Sequence, residues 1–320
     1  MRLDEFVLDD SEKLTLALRS LYQHSGYTRF RMEKFEEYDL YSQNRDFLVS
    51  DHIITFTDTD GTLMALKPDV TLSVVKSLRD DPHTLQKLCY NENVYRVSRG
   101  TGSFQEIMQV GLECVGRVDE RCTGEVLLLA AKSLALCASS FVLEISHLDI
   151  LTKLLDDAVG QSALRGDVLK CVADKNLAGA AALCARAKAG ETQTEALLTL
   201  MKLYGNAVQV LPRLRELCEP RGLGAELNEL EAVLSLLSDG GCADRVALDF
   251  SAVSNMNYYN GVLFQGFVEG LPESVLTGGR YDKLMRKMGR ASGAIGFAVY
   301  LDRLERLGEM KNGGAVDRNA

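Results

Sequence analysis

The stretch with the most chemistry in it is residues 87–116, KLCYNENVYRVSRGTGSFQEIMQVGLECVG. Residues 94–98 alternate as a strand does, with Arg96 between Tyr95 and Val97, and residues 107–115 form a second strand carrying Gln109 and Glu113. Positions i, i+2 and i+4 of a strand share one face, so Gln109 and Glu113 project together. Arg96 can join them across a loop that holds Gly100 and Gly102. An arginine, an amide and a carboxylate on one side of a sheet suit a small zwitterion or a nucleotide better than a dry core, where each would have to be satisfied.

The elements around this stretch read as follows. Asp9, Asp10 and Ser11 can cap a helix running to about Gln23, with Leu14, Leu18, Leu21 and Tyr22 on one face. Residues 28–35 are strand-like, and 36–41 lead into a polar connector at 42–46. Residues 53–57 and 63–67 form a hairpin around Asp58-Thr59-Asp60-Gly61. Pro68 ends it, and Asp69 or Thr71 can cap the next helix. A long apolar helix covers 125–138 and a strand 141–145. From 149 to 238 the pattern is almost wholly helical. Strands return at 245–250 and 262–268, then Thr277-Gly278-Gly279 reads as a glycine turn before a short helix through Met288, and 301–307 are helical. This order predicts an α+β fold with a mixed or antiparallel sheet and a helical insertion. The expected division is a core of 1–148 and 243–310, an insertion of 149–242, and a disordered tail at 311–320.

Composition narrows the function. In 320 residues, 46% hydrophobic and 25% charged content predict a soluble globular chain. The net charge of −9 argues against a broad nucleic-acid footprint. The eight cysteines contain no CxxC pair and several lie in apolar helical runs, for example Cys137 and Cys184, which predicts buried free thiols and a reducing, cytoplasmic compartment. His24, His52, His83 and His147 show no mutual ligand spacing, so no metal is expected. No signal peptide is visible in residues 1–10, and the apolar run 126–145 is broken by Lys132 and serines, as a membrane span would not be.

Four segments together resemble a known family. Residues 96–116 are similar to the second signature motif of class II aminoacyl-tRNA synthetases, and specifically of histidyl-tRNA synthetases. TGGRYDKL at 277–284 with GAIGFAVYLDRLERL at 293–307 resembles the third motif, and ALKPDVT at 65–71 and MNYYNG at 256–261 resemble the amino-acid pocket segments. The resemblance implies an antiparallel sheet core flanked by helices. It also implies that Asp69 and Thr71 hold an α-amino group, that Gln109 and Glu113 line an amino-acid site, and that Tyr258, Tyr259 and Tyr281 are its tyrosines. Physically, carboxylates suit an ammonium, and a Tyr hydroxyl or Gln amide suits an imidazole nitrogen. The competing reading makes Asp69 only a helix cap and the tyrosines only sheet packing. Arg96 fits a ligand carboxylate or phosphate, or equally an ion pair with Glu113 or Glu92. Arg303 matches an arginine that stacks on adenine in the synthetases, and a structural salt bridge serves it as well.

The departures matter as much. Ser254 stands where the synthetases carry an arginine at the reacting carboxylate and phosphate. Ser98 replaces the Glu of Arg-x-Glu, Arg99 is the lone basic residue kept in the loop after it, and Glu33 replaces the first motif's proline. The chain ends about one small domain short of an anticodon-binding module. Removing one preorganised charge contact costs ~10²–10³ in rate, so loss of synthetase chemistry is expected. Such a paralogue resembles the regulatory subunit of ATP phosphoribosyltransferase, which pairs with a short catalytic subunit at the first step of histidine biosynthesis. That resemblance implies a dimer within a hetero-oligomer, of hetero-octameric size, with histidine as effector and with no cofactor, tRNA or membrane. The alternative that stays open is a small histidyl-tRNA synthetase-like adenylating ligase.

Overall fold

The computed structural model describes residues 8–48, 52–97, 102–253, 256 and 258–306. Ser98, Arg99, Ser254 and the expected tail at 311–320 lie outside these residues.

Helix α1 (Asp10–His24) starts at a capping box, with Asp9 and Glu12 each bonding the other's backbone amide, and buries Leu18 and Tyr22. Short strands β1 (Thr28–Arg29) and β2 (Phe35–Glu37) follow, then helix α2 (Tyr38–Ser42), the hairpin arms β3 (Thr55–Thr57) and β4 (Leu63–Leu66), and helix α3 (Val70–Ser77). Next come β5 (Leu85–Val97), β6 (Phe104–Gly116), helix α4 (Glu120–Cys137) and β7 (Phe141–His147). Helices α5 (Leu148–Val159), α6 (Arg165–Ala173), α7 (Leu177–Arg186) and α8 (Glu191–Lys202) precede β8 (Tyr204–Asn206). Helices α9 (Ala207–Cys218) and α10 (Gly224–Asp239) come after it. The chain then returns through β9 (Val246–Asp249), β10 (Asn260–Val268), β11 (Leu276–Arg280), helix α11 (Asp282–Lys287) and β12 (Gly293–Tyr300).

Among the described residues nine strands form one sheet in the order β1-β5-β6-β12-β11-β10-β7-β9-β8, and β2-β4-β3 form a second. β1 runs parallel to β5 and β7 parallel to β9; the other pairs are antiparallel. This is the α+β fold with a mixed sheet that the pattern predicts. α4 covers one face and buries Val126, Leu127, Ala130 and Leu134 in the main core. The other face of β5, β6, β12, β11 and β10 contributes to an open cavity.

Several expectations are corrected. Thr277-Gly278-Gly279 is no turn; it is the middle of β11, paired with Phe264 on one side and Phe297 on the other. A Cβ at residue 278 would lie 2.5 Å from the Phe264 ring and 2.4 Å from Phe297 Cβ, so the flanking aromatics fill the space a side chain would need. The strand expected at 28–35 is broken into β1 and β2, and the connector expected at 42–46 begins as α2 and continues as a 3₁₀ turn, Arg45–Phe47. β5 starts nine residues before the expected strand. Its first half mixes Leu85, Leu88, Cys89 and Tyr90 with Gln86 and Lys87 in no strict two-residue alternation, so the residue types there do not read as a half-buried strand. All eight cysteines are free; five are buried and Cys137, Cys171 and Cys242 are partly so. Among the described residues no helix is long and apolar enough to cross a membrane.

Candidate functional site

Glu113 is the centre of the site. It stands on β6 directly opposite Gly296 of β12. A Cβ at residue 296 would lie 1.8 Å from Glu113 Oε2, so the glycine lets the carboxylate lie over the neighbouring strand. Thr71, in the first turn of α3, donates its hydroxyl to Glu113 Oε1 at 3.0 Å. Tyr281, the N-cap of α11, donates to Oε2 at 2.7 Å. Asp69 is the N-cap of α3: its Oδ1 accepts from the Leu72 amide at 3.0 Å, and its Oδ2 lies 3.7 Å from Arg96 Nη2. The helix-cap reading of Asp69 is therefore true and does not compete with a site role. Tyr258 and Tyr259 pack edge to face at 4.6 Å, and Tyr258 lies 5.9 Å from Tyr281.

All eight candidate residues, Asp69, Thr71, Arg96, Gln109, Glu113, Tyr258, Tyr259 and Tyr281, line one cavity of about 670 Å³. That volume falls in the range of small-molecule sites. Arg96 pairs with neither Glu113 nor Glu92. Its Nε donates to the Pro68 carbonyl at 2.7 Å, while Glu92 takes the buried Lys67. Gln109 is 3% exposed and, among the described residues, its Nε2 has no hydrogen-bond partner, so a ligand acceptor in the cavity would satisfy it.

The electrostatics are one-sided. Burial pushes the Glu113 carboxyl up to about 8, although the Tyr281 and Thr71 hydroxyls pull it down. Burial also raises Asp69, against the opposing pull of Arg96. Tyr258, Tyr259 and Tyr281 are held neutral, well above the usual phenol range, first by burial and then by the same carboxylates. Such a chamber favours a ligand that brings positive charge and N–H donors to Glu113 and Asp69 and an acceptor to Gln109.

The outer part of the cavity is different. Arg303 donates to the Ser274 carbonyl, lies 3.6 Å from Glu273 and stacks on the Tyr300 ring at 4.3 Å. Arg306 is paired with Asp302 at 3.3 Å. Both arginines are thus engaged by their own chain. The sequence reading missed Tyr90, Gln105, Glu273 and Tyr300, which also line the cavity. Strand parity held a signal for two of them. Tyr90 is six residues before Arg96 on β5, and Gln105 four before Gln109 on β6.

The model of the histidyl-tRNA synthetase family matches residues 7–304. The resemblance read from the motifs extends to curated proteins. An ATP phosphoribosyltransferase regulatory subunit of Clostridium kluyveri is 29% identical, over 94% of this chain and 78% of that protein. A crystal structure from Bacillus halodurans, described as an ATP phosphoribosyltransferase regulatory subunit/histidyl-tRNA synthetase, is 26% identical with a TM-score of 0.79. The match covers 95% of this chain and 80% of that one. An ATP phosphoribosyl transferase complex from Thermotoga maritima shares the fold, with a TM-score of 0.72 at 20% identity, over 91% of this chain and 97% of that one.

Proposed function

The chain belongs to the histidyl-tRNA synthetase family, and from that membership we propose that it is a regulatory, non-catalytic subunit of ATP phosphoribosyltransferase. It pairs with itself, assembles with the short-form catalytic subunit into a hetero-octamer, and acts in the cytoplasm. Histidine is its effector: it raises the partner's activity when empty and carries feedback inhibition when filled. The coupling free energy expected for such an effect is ~1–3 kcal/mol. Residues 1–148 and 243–310 form the core that holds the pocket, and 149–242 an insertion beside it. No tRNA is bound and no adenylate is made.

One observation carries the reading: the inner chamber is complete while the outer one is spent on its own chain. Asp69 and Glu113 meet an ammonium or imidazole N–H, Gln109 supplies the missing donor, and Arg96 reaches a carboxylate. Arg303, which the adenylating alternative needs against a nucleotide, is occupied by Glu273, Ser274 and Tyr300. The curated relatives named as regulatory subunits support the same assignment.

The test mixes the purified chain with a short-form catalytic subunit. Co-elution on sizing with a raised reaction rate is expected, and that rate should fall when L-histidine is added. Separate elution with an unchanged rate overturns the proposal. Histidine-dependent ATP–pyrophosphate exchange by the chain alone would establish the ligase reading instead.

A further inference from the structure

Both aromatic walls of the pocket run, within two residues, into atoms held by helices outside it. On one side Tyr281, bonded to Glu113, is preceded by Arg280 at the end of β11. Arg280 Nε donates to Asp282 Oδ2 at 2.7 Å, and its Nη1 reaches Glu229 Oε1 of α10 at 3.4 Å. Glu229 Oε2 is also 3.2 Å from His147 Nε2. His147 is 1% exposed and, among the described residues, its Nδ1 has no partner, so Glu229 is the side chain that holds this ring there. On the other side Gly261, two residues after Tyr259, donates its amide to Asp149 Oδ2 of α5 at 3.2 Å. Gly261 has φ +59, and a Cβ there would lie 3.5 Å from Arg280 Cδ and 3.9 Å from Glu229 Oε2. The two routes therefore run side by side, with about one side chain's space between them. The β10–β11 register slips between Asn260 and Leu263, a local irregularity where the strand can yield.

We propose that Arg280 and Glu229 are positioning residues that tie helix α10 to the Tyr281–Glu113 wall, so that pocket occupancy and the packing of α10 are coupled. Neither residue lines the cavity, so each acts through Tyr281 and not by touching a ligand. The pair is partly buried, with Arg280 25% and Glu229 17% exposed, and a charge stranded there by loss of its partner is costly. A shift of the Tyr281 backbone on ligand binding would pass to its chain neighbour Arg280 and load that pair. Coupling of this kind is reciprocal: whatever holds α10 also sets pocket affinity. The histidine arm of the test below rests on the proposed function; the ligand-free arm does not.

In the ligand-free arm, amide exchange is followed by mass spectrometry on the full-length chain. Tyr281→Phe keeps the ring and removes its bond to Glu113. Exchange across residues 224–239 is expected to rise about threefold or more, and to rise no further when Tyr281→Phe is added to Glu229→Gln. Arg280→Lys, which keeps the charge and loses the fork, serves as a second background in which the same non-additivity is expected. If α10 ignores Tyr281→Phe, or if the effects simply add in both backgrounds, the pair is an ordinary structural ion pair and the proposal is overturned. In the histidine arm, calorimetric titration with L-histidine is expected to show about threefold to tenfold weaker binding for Glu229→Gln. Unchanged affinity counts against the tie. A wild-type chain that takes up no histidine refutes the pocket reading, while the exchange result still decides the tie.

Discussion

If histidine binds against Glu113 as proposed, binding should release a proton. Its carboxyl titrates at about 8 in the empty pocket, because burial disfavours the charged form. A cationic ligand against it restores the charged form and drives the proton off. At pH 6 the empty site holds that proton almost fully, and ionising the group two pH units below its pKa costs about 2.7 kcal/mol. Affinity for L-histidine should therefore rise up to about fiftyfold between pH 6 and 8, gain about another twofold, and level off above pH 9. Calorimetry in buffers of different ionisation enthalpy counts the protons directly; at pH 6.5 close to one is expected from this group. The imidazole of free histidine titrates in the same range, so the decisive comparison is with Glu113→Gln. That variant should lose the proton and most of the slope, leaving what Asp69 and the ligand contribute. The sign for stability runs the other way. A carboxyl raised on folding favours the fold fully below its unfolded pKa near 4.5, and that advantage drains away as pH climbs toward 8. The empty chain should thus lose on the order of 3 kcal/mol between pH 4.5 and 7 from this group, and Glu113→Gln should flatten that loss in thermal melts. A pH slope of binding identical in wild type and Glu113→Gln would refute the reasoning.

Other expectations are simpler to check. Gly296→Ala places a methyl 1.8 Å from Glu113 Oε2, so it should cost about 1–3 kcal/mol in denaturant melts and abolish histidine uptake. Asp69→Asn keeps a good N-cap for α3 and removes the charge, so stability should change by less than about 1 kcal/mol while calorimetry shows at least about tenfold weaker binding. Arg303→Ala should leave histidine affinity within about twofold, because Arg303 is engaged by Glu273, Ser274 and Tyr300; a large loss would show that the outer chamber takes part in binding. Glu92→Gln strips the charge that faces Lys67, which is 1% exposed, and should destabilise by about 3 kcal/mol or more in the same melts.

That the eight candidate residues would gather at one cavity is legible because their signals are local. Asp69 follows a proline and opens a helix, Gln109 and Glu113 share a strand face, and the tyrosines sit in short motifs that resemble one family. Alternation and capping likewise gave the α+β order. Where reading failed, the cause was a neighbour distant in the chain. Gly278 looked like a turn because its reason for being glycine is the pair Phe264 and Phe297, on two other strands. The start of β5 is not legible because residues 85–91 do not alternate; pairing with β6, from Leu85 opposite Gly116 onward, makes them a strand.

Residue types and spacing, then, were enough to say which side chains gather and which family shape gathers them, since caps, strand parity and motifs act over a few residues. Only the folded chain decided who bonds whom: Arg96 to the Pro68 carbonyl and Asp69 instead of Glu113 or Glu92, and Arg303 to its own surroundings. It also decided the proton on Glu113. That depends on burial together with Thr71 and Tyr281, which lie 42 and 168 residues away along the chain, and burial is a property of the packed whole.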